Sequence, residues 1–208
     1  MRELSRGMRL LQPEDYRRMP WKNGLGITTE IAVSPMDAGL EAKSFDWRVS
    51  IANVEKDCRF SRFPGYDRSI MLIEGAGMEL SFDSCPSQRI DQPQKPYRFK
   101  GESQTYCHLL DGLVRDFNVM SARGKFKHVC KVLTSTGSIH WKPNSETLLI
   151  YCLIGRCSLE GLRDKQIEIN TEHTLILDKR SNYPVVKILT MAAFSKDTLM
   201  VIVKIRNL

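Results

Sequence analysis

Long apolar runs are missing from this sequence. None of its 208 residues falls in an uninterrupted apolar window of about 18 residues, which argues against a membrane-spanning helix. The charged first segment, Met1–Arg9, also lacks the apolar stretch of a signal peptide. From these two absences we expect a cytoplasmic protein that does not associate with membranes.

Closely spaced cysteine motifs are missing, and the two nearest cysteines, Cys152 and Cys157, are five residues apart. The six cysteines contain no C-x-x-C pair, which argues against a zinc knuckle and a thioredoxin-like redox site. They are also too few and too scattered for a disulfide framework. We therefore expect inert thiols, and the sequence assigns no role to Cys152 or Cys157.

Histidine is sparse as well. The four histidines are His108, His128, His140 and His173, and none belongs to the His-x-His pair from which facial metal sites on strands are built. The sequence also lacks a Gly-x-Ser-x-Gly elbow and a cysteine with a matching histidine partner. It therefore predicts no metal, no cofactor and no nucleophilic catalysis.

Acidic residues are outnumbered by basic ones, 24 to 31, which gives a net charge of +7. A positive field favours anionic partners. The densest basic run, Arg123–His128, is short and matches no nucleic-acid-binding motif, so we interpret it as a solvated surface. The predicted partner is a small anionic metabolite and not a nucleic acid, and a homodimer stays open.

Helix signals are also few, and the sequence predicts an all-β fold. One short helical turn is expected over Pro13–Met19. Nearly everything else alternates between short apolar strands and clusters of turn residues, as in a sandwich or barrel. The predicted strands are Ile27–Val33, Phe45–Val54, Ser69–Glu74, Met78–Phe82, Gln104–Leu110, Val114–Met120, Thr147–Ile154, Cys157–Glu160, Thr174–Leu177, Val185–Leu189 and Leu199–Ile205.

An apolar run broken by glycine occurs twice, at Gly75 and again 80 residues later at Gly155. We interpret each as a β-hairpin whose glycine supplies the positive φ of a tight turn. This spacing predicts two small jelly-roll barrels, an N-terminal one over residues 1–125 that holds a ligand pocket and a C-terminal one over residues 126–208. Exchange of strands between the two stays open.

Polar residues with small neighbours mark the candidate pocket. Arg48 shares its strand face with Ser50 and Ala52, which leave room beside it, and Arg68 opens an apolar strand after a Pro-Gly turn. If the strand faces converge, two guanidinium groups would bind a carboxylate and nearby polar groups would orient it. The converging faces carry Thr28, Glu30, Arg48, Ser50, Arg68, Asp116 and Asn118. Trp21 is the one aromatic assigned to ligand stacking, whereas Trp47, Phe60 and Phe63 are assigned to the core.

The same charges have another interpretation. Arg48 could pair with Glu30, and Arg68 with Asp67 or Asp116, as internal ion pairs that hold strand edges without any ligand. The residues alone leave these two interpretations open.

Several ordered motifs over about residues 10–125 resemble the HutD/Ves family. They are Met-Pro-Trp-Lys-Asn-Gly-Leu-Gly from Met19, Phe-Asp-Trp-Arg-Val-Ser-Ile-Ala from Phe45, Phe-Ser-Arg-Phe-Pro-Gly-Tyr-Asp-Arg ending at Arg68, Leu-Ile-Glu-Gly-Ala-Gly from Leu72, and Arg-Asp-Phe-Asn ending at Asn118. The resemblance implies a bicupin, with two cupin-like barrels in one chain. From about residue 126 onwards there is little to match.

The resemblance also implies a function. HutD proteins are thought to bind an intermediate of histidine degradation, such as formylglutamate or urocanate, without catalysis, whereas Ves proteins form a stress-associated branch with no defined ligand. Carried over by motif, Arg68 would be the anion anchor, and Arg48, Asn23 and Glu30 would line the same pocket.

Two alternatives to a binding protein are kept. A metal-independent enzyme could use Glu30, near Arg48, as a general base on a small organic acid. A purely structural or oligomerisation domain would need no ligand. A metal-dependent cupin enzyme is disfavoured because an arginine stands where the histidine pair would lie, just before Ile70.

Overall fold

The computed structural model describes residues 2–36, 44–83, 85–134, 137–140, 146–162, 165–178, 188–193 and 198–208. The described part of the chain is all-β, with a single 3-10 turn at Pro13–Asp15. The strands are β1 (Arg2–Ser5), β2 (Met8–Leu11), β3 (Arg17–Pro20), β4 (Gly26–Ser34), β5 (Trp47–Val54), β6 (Cys58–Arg59), β7 (Tyr66–Glu74), β8 (Met78–Phe82), β9 (Gln88–Ile90), β10 (Tyr97–Lys100), β11 (Thr105–Leu109), β12 (Val114–Ala122), β13 (Phe126–Leu133), β14 (Gly137–His140), β15 (Glu146–Ile154), β16 (Arg156–Leu162), β17 (Lys165–Asn170), β18 (Thr174–Leu177), β19 (Ile188–Ala193) and β20 (Leu199–Asn207). Within these residues no helix is long and apolar enough to cross a membrane.

The chain divides into two compact units. The first unit is Tyr16–Lys127 with Leu208, and the second is Met1–Asp15 with His128–Asn207. The sequence-based division placed residues 1–125 together, but β1 and β2 belong to the second unit because β2 pairs with β18. The other boundary, near residue 127, lies close to the predicted one.

Each unit contains a six-stranded and a four-stranded sheet. In the first unit the orders are β10-β7-β12-β5-β4-β3 and β6-β11-β8-β9. Apolar residues from both sheets form its core, among them Ile70 and Leu72 from β7 and Met78 and Leu80 from β8. In the second unit the orders are β1-β2-β18-β15-β20-β13 and β14-β19-β16-β17.

The two units share one strand order. Adding eight to each number in β10-β7-β12-β5 gives β18-β15-β20-β13, and adding eight to β6-β11-β8-β9 gives β14-β19-β16-β17. In both units the ladder between the two central long strands also slips by one residue at the same place. The residues are Arg115 and Asp116 opposite Glu74 and Leu72 in the first unit, and Leu199 and Met200 opposite Ile154 and Cys152 in the second. The internal repeat is therefore visible at the level of single residues.

The glycine breaks do repeat, but the hairpin prediction is wrong. Gly75 and Gly155 both have positive φ, at 101° and 78°. However, β7 pairs with β10 and β12, whereas β8 pairs with β9 and β11, so the chain at Gly75 passes from one sheet to the other. At Gly75 a Cβ would lie 2.6 Å from the Leu113 carbonyl oxygen, so this corner requires glycine. The turn residues reveal the bend but not the partner of the strand that follows.

Two other local predictions differ from the structure. The expected helical turn over Pro13–Met19 is limited to Pro13–Asp15, and Arg17–Pro20 instead forms β3, paired with β4. Residues 185–187 of the predicted strand Val185–Leu189 lie outside the described residues. Its last two residues belong to β19, which begins at Ile188. The predicted apolar face of β5 is confirmed, since Trp47, Val49 and Ile51 are buried.

Candidate functional site

A cavity of about 450 Å³ lies in the first unit, on the face of its six-stranded sheet that packs against the four-stranded sheet. Eight of the nine predicted site residues line it: Trp21, Asn23, Thr28, Arg48, Ser50, Arg68, Asp116 and Asn118. The ninth, Glu30, lies beside it and contacts Arg48. The structure thus brings together the strand faces that the alternation pattern singled out.

Strand register explains why these residues meet. Three rows of directly paired residues run across β7, β12, β5 and β4, all on one sheet face. They are Leu72, Asp116, Ala52 and Thr28 in the first row, Ile70, Asn118, Ser50 and Glu30 in the second, and Arg68, Met120 and Arg48 in the third. Because alternate residues of a strand share a face, the i, i+2 spacing within each strand carries the polar groups into one surface.

Arg68 is the most deeply buried cation of the site, with 5% of its surface exposed. Its guanidinium carbon lies 4.7 Å from the ring centre of Phe99, and the rings of Phe60 and Phe63 lie within 6 Å. Arg68 Nη1 donates a hydrogen bond to the Ser61 carbonyl oxygen at 3.3 Å. These contacts fix the side chain through cation–π attraction, and no carboxylate of the described residues forms an ion pair with it.

The charge of Arg68 is costly in this environment. Burial lowers its pKa to about 10, although the negative charge of Asp116 opposes the shift. Arg68 Nε is buried without a hydrogen-bond partner in the part of the chain that the structure describes. Asp67, one of the two alternative ion-pair partners, binds Arg123 instead, with Oδ1 at 2.8 Å from Arg123 Nε. Asp116, the other, accepts no hydrogen bond from Arg68, since both of its carboxylate oxygens lack a hydrogen-bond partner among the described residues.

Asp116 and Asn118 supply acceptors to the same cavity. Asp116 is 1% exposed, and neither of its carboxylate oxygens has a partner with hydrogen-bond geometry among the described residues. The side-chain oxygen of Asn118 is also buried without a partner there. Burial raises the pKa of Asp116 to about 7, although Arg68 and the Asn118 amide favour the charged form.

Arg48, by contrast, is neutralised within the protein. Its Nε lies 2.9 Å from Glu30 Oε2, and the other oxygen of Glu30 lies 2.6 Å from Arg17 Nη2. Burial lowers the pKa of Arg48, and Glu30 opposes that shift. The internal ion pair that the sequence left open is therefore present for Arg48 and Glu30. Glu30 acts on the cavity through Arg48, and its engagement with two arginines argues against a role as a free general base.

One side of the cavity is built on the turn between β3 and β4. Trp21 Nε1 donates a hydrogen bond to Thr28 Oγ1 at 2.8 Å, and the Trp21 ring packs edge-on against Phe60. At Gly26 a Cβ would overlap the Asn53 carbonyl oxygen and lie 3.0 Å from the Trp21 ring. Asn23, which is exposed, accepts a hydrogen bond from the Leu25 amide and lines the cavity. The absence of a side chain at Gly26 therefore allows the Trp21 ring to pack against β4.

Sequence reasoning missed several contributors. Phe60 and Phe63 were assigned to the core, yet they line the cavity and contact Arg68. Phe99, the ring nearest to Arg68, lies on β10, a strand that was not predicted. Arg17 was placed in a helical turn and instead pairs with Glu30. For Phe99 and Phe63 the only signal was an aromatic residue near a turn, which is too common to be informative.

In the second unit, apolar residues occupy the positions equivalent to the polar cavity residues of the first unit. The shared register aligns Arg68 with Leu148, Asp116 with Met200, and Asn118 with Ile202. All three second-unit residues are at most 5% exposed and belong to one apolar core. The polar side chains of the first unit are therefore not demanded by the topology.

Among the described residues no group of three or more His, Cys, Asp or Glu side chains could hold a metal ion.

Sequence comparison identifies relatives in bacteria. The family model named HutD matches residues 13–193. A Pseudomonas putida relative named "Uncharacterized 21.2 kDa protein in hutC 3'region" is 39% identical over 144 residues, which cover 69% of this chain and 73% of the relative. Protein Ves of Escherichia fergusonii is 35% identical over 132 residues, which cover 60% of this chain and 66% of Ves.

Structure comparison agrees with the sequence. HutD from Pseudomonas fluorescens SBW25 superimposes with a TM-score of 0.79 and 27% identity over 97% of this chain and 99% of that one. A Leptotrichia buccalis protein with a conserved cupin barrel domain matches 92% of this chain and 96% of its own at a TM-score of 0.54 and 9% identity, a likeness of fold alone. The resemblance noted in the sequence is confirmed: the chain belongs to the HutD family.

Proposed function

We propose that this protein binds a small carboxylate in the cavity of its first unit and acts by binding and not by turnover. The observation that carries the proposal is Arg68, a buried cation on the cavity wall whose Nε lacks a partner among the described residues. A buried charge without a partner is costly unless a ligand pairs with it. A guanidinium fork matches a carboxylate in shape and charge.

The relatives suggest which carboxylate to test. One is named for its place beside hutC, and a structural neighbour is HutD itself. These names support a role in histidine utilisation, for which formylglutamate and urocanate are the candidate ligands. The resemblance to Ves proteins implies a stress-associated role instead, for which no ligand is defined, and a relative of that name is 35% identical.

The repeated strand order supports a bicupin architecture. Each unit contains the same eight-strand arrangement, divided between two sheets. In this interpretation each unit is one cupin-like barrel, and the first barrel has kept a polar interior while the second has filled its interior with apolar side chains.

A second candidate function follows from Asp116. A buried carboxylate whose pKa is raised to about 7 is suited to general acid–base catalysis near neutral pH. It would then abstract a proton from the bound acid without a metal. Nuclear magnetic resonance spectra of the bound acid after long incubation distinguish the two functions: binding leaves them unchanged, and catalysis produces new signals or exchange of hydrogen for solvent deuterium.

Thermal-shift measurements with a panel of small acids test the proposed binding. Formylglutamate, urocanate or a related carboxylate is expected to raise the Tm of the wild-type protein, because a ligand that binds only the folded state stabilises it. Arg68→Leu, which installs the residue found at the equivalent second-unit position, is expected to remove the shift and remain folded. Arg98→Leu, an exposed position on β10, is the matched control and is expected to keep it.

Two results would overturn the proposal. If no acid in the panel shifts the Tm of the wild-type protein, the cavity does not serve carboxylates. If the same acid shifts Arg68→Leu as much as the wild type, the anchor lies elsewhere.

A further inference from the structure

The cavity that holds Arg68 also holds a buried acid, Asp116. Asp116 is 1% exposed and Arg68 is 5% exposed, and both line the same cavity of about 450 Å³. They lie on neighbouring strands, because β12 pairs with β7. Arg68 acts on the carboxyl group through space, without donating a hydrogen bond to either Asp116 oxygen. Unless Asp116 is neutral, a bound acid would therefore be the second negative charge beside a single buried guanidinium.

The other charged groups of the cavity do not offset a second negative charge. Arg48, which faces the cavity from β5, already pairs with Glu30 of β4 at 2.9 Å. Arg59 and Lys22 line the cavity from exposed positions, where water and salt screen their charges. Among the described lining residues, Arg68 is therefore the one buried cation that is not already engaged. It can balance one negative charge but not two.

The titratable groups that face Asp116 from the four-stranded sheet are thiols. Cys58 on β6 and Cys107 on β11 are buried, and both interact electrostatically with Asp116. Burial raises the pKa of Cys58 to about 11 and also raises the pKa of Cys107, so both thiols are neutral near neutral pH. No histidine is among the described residues that line the cavity. Asp116 is therefore the group of this buried wall whose charge changes between about pH 6 and pH 8.

A protonated Asp116 suits a bound carboxylate better than an ionised one. The protonated carboxyl group is a hydrogen-bond donor, and its O–H group forms a short, charge-assisted bond with a carboxylate. The ionised group can only accept, and it repels a bound anion. At the aligned position of the second unit Met200 has no titratable group, so the strand ladder itself does not need an acid there.

We propose that the cavity takes up one proton together with each acid anion that it binds. The carboxylate of the acid pairs with Arg68, and the proton is held on a carboxyl oxygen of Asp116, which then donates a hydrogen bond to the acid. One anion and one proton enter from solvent, so the net charge of the cavity does not change and no bond within the acid breaks. Acidification therefore strengthens binding. The inference rests on the proposed function, because it concerns how the same cavity binds its acid.

Isothermal titration calorimetry with N-formyl-L-glutamate and trans-cinnamate tests the proposal, because the carboxyl groups of both probes are ionised at pH 6 and at pH 8. The wild-type protein is expected to bind at least one of them about fivefold or more tightly at pH 6 than at pH 8, since affinity falls as the pH rises above the Asp116 pKa of about 7. Titrations in two buffers of different ionisation enthalpy are expected to show uptake of about one proton per acid at pH 8 and little uptake at pH 6.

Variants at position 116 separate the proton from the rest of the site. Asp116→Asn cannot ionise, so it is expected to bind the same probe within about twofold at both pH values, without proton uptake. At pH 8 it is expected to bind about fivefold or more tightly than the wild type, a gain that a purely structural role of Asp116 would not produce. Asp116→Met, which installs the residue of the equivalent second-unit position, is also expected to bind independently of pH. Asp111→Asn, an exposed acid in the turn before β12, is the matched control and is expected to keep the wild-type pH dependence.

The outcomes separate this inference from the proposed function. If acids bind equally at both pH values without proton uptake, or if Asp116→Asn keeps the wild-type pH dependence, the proton coupling is wrong and carboxylate binding stands. Loss of binding in both folded variants at position 116 would also overturn the coupling, since a neutral side chain there is expected to admit the anion. If no acid of the thermal-shift panel binds the wild-type protein at either pH, the proposed function and this inference both fail.

Discussion

The two units of the chain carry one topology with opposite interiors. Their sheets have the same strand order and the same register slip. The first unit places Arg68, Asp116 and Asn118 at positions where the second unit has Leu148, Met200 and Ile202. The second unit gains stability from these positions, since each buried aliphatic side chain contributes about 1.5–3 kcal/mol. The first unit forgoes that gain.

This difference separates the requirements of the fold from those of the site. Strand order, the register slip and the glycine corners at Gly75 and Gly155 recur in both units, so the fold depends on them. At the aligned positions that the structure describes, the buried guanidinium and carboxylate occur in the first unit and apolar side chains in the second, so we expect the polar pair to serve a ligand. Variants that exchange features between the units, or that perturb what one unit has and the other lacks, test this expectation.

The largest effect on stability is expected when the first-unit arginine is placed at the equivalent position of the second unit. Leu148→Arg places a charge in the apolar core of the second unit and is expected to lower the free energy of unfolding by about 3–5 kcal/mol or to prevent folding. Arg68→Leu removes a buried charge, so it is expected either to lower the free energy of unfolding by less than about 1 kcal/mol or to raise it. Urea unfolding of both variants measures the difference. Equal destabilisation would mean that Arg68 has a structural role.

A smaller effect is expected from the internal ion pairs of the first unit. Glu30→Gln removes the charge that holds Arg17 and Arg48 and is expected to cost about 1–3 kcal/mol of stability. Carboxylate affinity is expected to be unchanged or higher, because the cavity becomes more positive. Glu55→Gln, at an exposed position, serves as the control. Loss of binding in Glu30→Gln with intact folding would instead make Glu30 a direct ligand contact.

Asp116 is expected to make the stability of the ligand-free protein depend on pH. Its pKa is about 7 in the folded protein and close to 3.8 when unfolded, so between these values the folded state holds a proton that the unfolded state has released. Stability from this group is therefore full below about pH 4 and declines as the pH rises towards 7. Asp116→Asn is expected to be more stabilising at about pH 8 than at about pH 5, by about 1 kcal/mol or more. A constant difference between the two pH values contradicts the account.

The smallest effect is expected at the surface cluster around Arg123. This arginine binds Glu102 and Asp67, and it holds the pKa of Glu102 at about 2. Because the cluster is about one-third exposed, Glu102→Gln is expected to cost less than about 1 kcal/mol, and less again at high salt. Loss of acid binding in this variant would show that the turn carrying Glu102 shapes the cavity.

Much of the site could be predicted because strand alternation is local. The pattern of Arg48, Ser50 and Ala52 gives their common face directly, and Asp116 and Asn118 follow the same rule. What could not be predicted depends on pairing between distant segments. Phe99 meets Arg68 only because β10 pairs with β7, and β2 joins the second unit only because it pairs with β18.

Turn chemistry had a similar limit. The positive φ of Gly75 indicates a bend, but only the rest of the sheet decides that β8 joins β11 instead of returning along β7. The sequence left two interpretations of the charged residues open, because arginines and acidic residues on neighbouring strands can form either a ligand site or internal ion pairs. The geometry divides them: Arg48 is paired and Arg68 has no contacting anion among the described residues.

A crystal structure of the protein with the tightest-binding acid of the panel shows directly whether Arg68 anchors a carboxylate. We expect the acid in the first-unit cavity, with its carboxylate within hydrogen-bond distance of Arg68. A carboxylate bound away from Arg68, or an acid seated outside this cavity, would contradict it.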